Sequence, residues 1–243
     1  RLFRVAPAGT KYVTPKFDFL TAKGAVAALT NPALSVRYMA WTALEAMDSK
    51  AESELAKMAQ AKNPRHRARA LWLLARIDGK ASHYIQQAAT DTDVDIRVAS
   101  IRIARSLKQD TIPLLKKLVN DPSPQVRREC AIALRGHASD AAPALWAALA
   151  QQHDGKDRWY LEALGIGAGS NWDACLLATV DRLKDSNNPQ ISDQAAEDII
   201  WRSRSSLTPK LLAEGIESGR VSLQNLPRTM RAFDFLSGPE KDA

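Results

Sequence analysis

Apolar residues recur at three- and four-residue intervals along most of the 243-residue chain. That is the period of an α-helix with one buried face. Four segments repeat the pattern without a gap: NPALSVRYMAWTAL (31–44), AKNPRHRARALWLL (61–74), DTDVDIRVASIRIA (91–104) and DPSPQVRRECAIAL (121–134). An arginine falls at the same point of each, at Arg37, Arg67, Arg97 and Arg127. Three positions later the residue is always small (Ala40, Ala70, Ser100, Cys130). Seven positions later it is always apolar (Leu44, Leu74, Ala104, Leu134). Asn63, Asp93 and Ser123 share one register position and predict N-caps. Pro64 and Pro124 follow at the first helical position, where a missing N–H costs nothing.

Shorter amphipathic stretches lie between these helices, at 51–60, 81–90 and 111–120. One repeat therefore reads as a first helix, a tight turn and a second helix. A short helix at 24–29 precedes the first repeat. Looser pairs follow at 139–150 with 156–166, at 172–183 with 191–201, and at 208–216 with 223–236. In the first of these, Arg158 stands one residue late for the arginine register. Gly79, Gly136 and Gly155 are placed to end helices. Alternation suited to a strand is confined to Arg1–Val5 and Lys11–Val13. A hairpin of this size cannot bury its apolar face alone, whereas stacked hairpins share a continuous core. The expected fold is all-α, a right-handed α-solenoid of six or seven helical hairpins.

Composition narrows the function classes. Hydrophobic residues make up 45% and charged residues 25% of the chain, ordinary values for a globular protein. No apolar run is long enough to span a membrane. The two cysteines, Cys130 and Cys175, form no metal-binding or haem-attachment spacing, and the four histidines are scattered. No metal site or bound cofactor is expected, and both cysteines are expected to be small buried hydrophobes. No nucleophile–base ordering, HExxH pattern or phosphate loop points to catalysis. The run GIGAGS (165–170) follows a helix, so it lacks the strand that a dinucleotide site needs.

Net charge is +7, and it is unevenly spread. Residues 61–135 hold 15 Lys/Arg against 7 Asp/Glu. The four register arginines are expected to be structural, each pairing with the turn acid six residues earlier (Asp91, Asp121) or with turn carbonyls. The first two repeats carry Asn31 and Ala61 in the acid's place, so pairing there must differ. Arg65, Arg69, Trp72, Arg76, Arg102, Arg105, Arg128 and Arg135 sit on the same second helices. Of these, Arg69, Trp72, Arg76, Arg102, Arg105, Arg128 and Arg135 form a candidate basic inner face. It would suit an acidic protein partner or, as the alternative, nucleic acid. Trp41 shares its register with Leu71 and Ile101 and is expected in the core, as are most of the six tryptophans. Trp72 holds a mixed, more exposed position. Trp201, Arg202 and Arg204 are placed to end a second helix, where cations suit the dipole.

The motif DPSPQVRRECAIAL resembles a HEAT repeat, and the spacing of 30 residues is similar to the short, phycobilisome-lyase-type variety. The blocks LFRVAPAG, KGAVAAL, NPALSVRYMAWTAL, IIWRSRSS and LPRTMRAFDFL resemble the central region of large planctomycete and verrucomicrobial proteins. In those, a quinoprotein-dehydrogenase-like β-propeller precedes a HEAT region, and a haem-binding CxxCH domain follows. The resemblance implies that residues 1–20 are an extended arm from a preceding domain, 21–236 the solenoid and 237–243 a tail. The opening at Arg1 without a signal segment fits a piece of something longer. It further implies a non-catalytic spacer, partnered by other domains of a parent chain, in the periplasm.

Overall fold

A computed structural model describes residues 5–11, 13, 15–184 and 191–236. The expected tail at 237–243 and parts of the N-terminal arm (1–4, 12 and 14) lie outside the described residues. Fourteen α-helices and two short 3₁₀ turns, with no strand, make up the regular structure of the described residues. They follow one another in pairs: α1 (Ala22–Leu29) with α2 (Leu34–Met47), α3 (Glu52–Met58) with α4 (Pro64–Leu74), and α5 (Ala81–Ala89) with α6 (Val94–Ser106). The series continues with α7 (Ile112–Leu118) and α8 (Pro124–Ala133), α9 (Ala141–Ala150) and α10 (Arg158–Ala168), α11 (Trp172–Lys184) and α12 (Asp193–Arg202), and α13 (Thr208–Glu217) and α14 (Leu226–Ala232).

The chain divides into two units, one ending at Tyr84 and the other beginning at Ile85. In the first, α1 packs on α2 and α3 on α4, while α1 meets α3 and α2 meets α4. In the second, α7, α9 and α11 form one layer and α6, α8, α10 and α12 the other. Each unit is thus a two-layer stack of helical hairpins, the all-α solenoid architecture that the repeat predicts. The apolar register residues supply the core: Ala40, Leu44, Ala70, Leu74, Ser100, Ala104 and Cys130 are buried, with Leu134 beside them. Both cysteines are free and buried, and burial pushes each thiol up to about 12. Among the described residues no helix is long and apolar enough to cross a membrane.

Local signals explain the helix starts. The Asn63 side chain accepts from the Arg65 N–H, and Asp93 accepts from those of Asp95 and Ile96. Ser123 departs from expectation, since its side chain makes no capping bond. The turn there is held instead by Asp121, whose Oδ1 accepts from the Ser123 N–H at 2.9 Å. Gly79 and Gly136 take φ of 69° and 68°, a conformation that suits glycine at a helix end.

The four register arginines share one job. Each sends Nη1 to two turn carbonyls of its own hairpin. Arg37 reaches Asn31 (3.0 Å) and Pro32 (2.5 Å), and Arg67 reaches Ala61 (3.0 Å) and Lys62 (3.1 Å). Arg97 reaches Asp91 (3.0 Å) and Thr92 (3.2 Å), and Arg127 reaches Asp121 (2.7 Å) and Pro122 (3.1 Å). The carboxylate partner differs from the expected one. Arg97 does not grip the side chain of Asp91, six residues earlier. Its Nε and Nη2 hold both oxygens of Asp121, 24 residues later, at 2.7 and 3.0 Å. The reason is directional. Nη1 faces back into its own turn, which leaves the opposite edge of the planar fork for the next hairpin.

Asp121 is 5% exposed at its side chain. Burial alone would push its carboxyl up, but hydrogen bonds from Arg97 and the Ser123 N–H hold it below its ordinary value. A depressed folded value means the contribution is whole above about pH 4 and is lost as pH falls further. Asp121→Asn should lower stability at pH 7 by about 3 kcal/mol. It should also flatten the acid limb of a plot of Tm against pH, measured by circular dichroism. An unchanged acid limb would show that the pair does not stabilise the fold.

Candidate functional site

The second helices of the second unit present a groove of about 420 Å³. Val98 and Arg102 of α6, Arg128 and Glu129 of α8, and Trp159 and Ile166 of α10 line it. Trp159 is 72% exposed and Ile166 40%. A large apolar side chain left in water beside arginines is the composition of a protein-binding anchor. Trp159 stands at the second position of α10, just after the Asp157 N-cap. The cap fixes the start of the helix, and the next residue, Tyr160, turns into the core, with its hydroxyl on the Leu149 carbonyl at 2.9 Å. Helical geometry then leaves Trp159 outside.

Most of the expected basic face is tied to acids. Arg102 binds Glu129 through Nε and Nη2 at 3.0 and 2.8 Å, and Arg105 approaches the same carboxylate at 3.7 Å. Glu129 is buried while Arg102 keeps 60% of its side chain exposed. Arg128 pairs with Asp157 at 3.6 Å. In the first unit Arg76 pairs with Glu45 at 3.4 Å and lies 6.0 Å from the centroid of the Trp41 ring. Arg69 donates to the Leu29 carbonyl at 2.9 Å. Trp72 is half-buried. Arg135 is exposed and has no ion pair among the described residues. The candidate residues therefore do not act as one uncompensated stripe. Each of these acids stands one hairpin away from its arginine: Glu129 follows Arg102 and Arg105, Asp157 follows Arg128, and Glu45 precedes Arg76.

Several further expectations are corrected. Arg158 does not extend the arginine register. The cap of α10 is Asp157, four residues later than the spacing from Ser123 requires, so the register arginine's place falls on Leu161. Arg158 is exposed and stands 4.0 Å from Glu162. Trp41 is half-buried rather than in the core, and Trp159 is open to solvent. Trp146 and Trp172 do pack inside, edge to face at 5.5 Å. The GIGAGS run contains the last turn of α10, not a loop after it. Gly167 lies so close to the Ala131 carbonyl that a Cβ there would collide with it. The WRSR cluster caps a helix as expected: Arg204 Nη1 reaches the carbonyls of Arg202 (3.2 Å) and Ser203 (2.6 Å), and Arg202 holds Glu162 at 2.9 Å.

Sequence reasoning missed a buried polar cluster. His153 Nε2 meets Asp198 at 3.2 Å, and Arg228 grips the other carboxylate oxygen at 2.6 Å while lying 4.1 Å from the Trp201 ring centroid. Burial pushes the Asp198 carboxyl up, but the bonds from His153 and Arg228 outweigh it and hold it low. The His153 ring stacks on Tyr160 at 6.0 Å. The 45 residues between His153 and Asp198 gave no local signal. No grouping of His, Cys, Asp and Glu suited to a metal ion occurs among the described residues.

The stacked pairs, the turn arginines and the turn acid they hold bring the comparison with known proteins into place. Residues 81–165 match the family of HEAT repeats. No curated protein matches the chain. HEAT repeats serve as protein-interaction and scaffold modules, and every residue lining the groove except Ile166, which follows it directly, lies within the matched segment. Glu129→Gln should release both Arg102 and Arg105 from their shared counter-charge. The variant should then elute from a heparin column at higher salt than the wild type. Elution at the same salt would show that Glu129 does not mask this face.

Proposed function

We propose that the chain is a non-catalytic docking and spacer module that seats a protein partner in the groove on α6, α8 and α10. The observation that carries this is the exposed Trp159 and Ile166, set between arginines that neighbouring hairpins already orient. A side chain whose rotamer is fixed beforehand loses little entropy on binding. Arginines tied to acids also leave the groove nearly neutral, which suits a mixed apolar and polar protein surface better than a phosphate backbone. The resemblance of the terminal blocks supports a finer reading. In it, the module separates a dehydrogenase-like β-propeller from a c-type haem domain in an exported protein, and the docked partner is one of those domains.

The test uses the full-length protein that carries this chain. Reduction with dithionite should give the sharp visible bands of a c-type haem. Trp159→Ser should slow electron delivery to that haem while moving the unfolding free energy by no more than about 0.5 kcal/mol, as at an ordinary exposed position. Absence of haem bands would overturn the spacer reading. Normal electron delivery in the variant would overturn the groove as its docking surface. Nucleic-acid binding would show instead as a steeply salt-dependent complex with random duplex. We expect no such complex in a gel shift at about 0.05 M salt.

A further inference from the structure

The first unit has a pocket of about 380 Å³ at the turn ends of α2 and α4, lined by Arg37, Arg65, His66 and Arg69, with Asn31 and Asn63 beside them. Three arginines and a histidine meet there, and no carboxylate pairs with any of them among the described residues. Arg37 and Arg69 are not loose surface cations. Backbone carbonyls fix Arg37 through Nη1 at Asn31 and Pro32, and fix Arg69 through Nη1 at Leu29. Desolvation and the neighbouring charges of Arg37 and Arg65 hold the Arg69 guanidinium below its ordinary value. Burial is the larger cause, and the like charges beside it add to it.

The repeat shows what is missing. At Arg97 the same carbonyl-anchored fork uses its other edge to hold Asp121 with two bonds. The corresponding residue for Arg37, 24 positions on, is Ala61. The fork is anchored in the same way, yet a methyl group stands where the carboxylate would come from. Arg65 and Arg69 then add positive charge around the vacated place, and the His66 ring lines it beside them. The N-terminus of α4, an 11-residue helix, faces the same turn and adds its dipole.

We propose that this pocket binds an external oxyanion, a carboxylate or a phosphate group, in the position that the aspartate of the next hairpin takes on Arg97. The inference does not rest on the groove of the second unit. Two fixed guanidinium groups and a third, exposed one suit a ligand of more than one negative charge. Such a group would come either from an acidic segment of a partner protein or from a phosphorylated small molecule.

Isothermal titration of the whole chain with inorganic phosphate, and separately with a tetraglutamate peptide, tests this at constant ionic strength set by chloride. Saturable binding of at least one probe is expected, and the tighter of the two identifies the source of the oxyanion. Ala61→Asp should restore an internal carboxylate, weaken that binding at least 10-fold and raise Tm. Arg65→Gln, at an exposed position, should weaken it about 3- to 10-fold with Tm unchanged. No saturable binding of either probe would overturn the proposal. So would an affinity left intact by Ala61→Asp in a variant that folds with a Tm at or above that of the wild type.

Discussion

A planar guanidinium with two usable edges organises the turns of four hairpins and, at Arg97, ties one hairpin to the next. The turns before α2, α4, α6 and α8 each direct two carbonyls toward the register arginine, a part-buried one at Asn31, Ala61, Asp91 and Asp121 and an exposed one at Pro32, Lys62, Thr92 and Pro122. Unpaired, the part-buried carbonyl of each turn would cost the fold a desolvation penalty. One nitrogen of the register arginine satisfies both. At Arg97 the remaining edge points to the next hairpin, where Asp121, which already shapes its own turn, accepts two more bonds. A lysine could not replace this residue, because a point charge has no second edge.

The positions where this arrangement is incomplete are the ones with distinctive chemistry. After Arg37 the acceptor is missing, because Ala61 stands in the register of the acid, and a cationic pocket results. After Arg127 the residue in register is Gln151. There the guanidinium lies 5.7 Å from the Tyr160 ring centroid, and its buried Nε has no hydrogen-bond partner. The same tyrosine stacks on His153, which meets Asp198 and, through it, Arg228. The four extra residues before α10 thus end the arginine series and start a different set of contacts. Aromatic stacking and a buried carboxylate join the later helices.

Charge at the surface follows from the same stacking. Neighbouring second helices bring Arg102 and Arg105 onto Glu129, Arg128 onto Asp157, and Arg202 onto Glu162. Each pairing lowers the local field that a count of basic residues would suggest. What these pairs leave prominent on α6, α8 and α10 is apolar: Trp159 and Ile166, framed by arginines that already have partners. In the first unit the opposite holds at one place, since Arg37, Arg65 and Arg69 gather with no carboxylate paired to them among the described residues.

The helices, their pairing and their register were legible in the sequence, because each depends on residues close together in the chain. Caps such as Asn63 and Asp93, the prolines at 64 and 124, and the helical period of apolar positions act within a few residues of where they stand. The recurrence of Arg37, Arg67, Arg97 and Arg127 at one register position was legible too. Which acid each arginine holds was not. That choice depends on the rise from one hairpin to the next, which moves the partner of Arg97 from its own turn to Asp121. The exposure of Trp159, the masking of Arg102 by Glu129 and the meeting of His153 with Asp198 depend likewise on helix rotation and on insertions such as the one before α10. Periodicity fixes which face of a helix is apolar. Only packing decides which neighbour that face, and the charges along its edge, will meet.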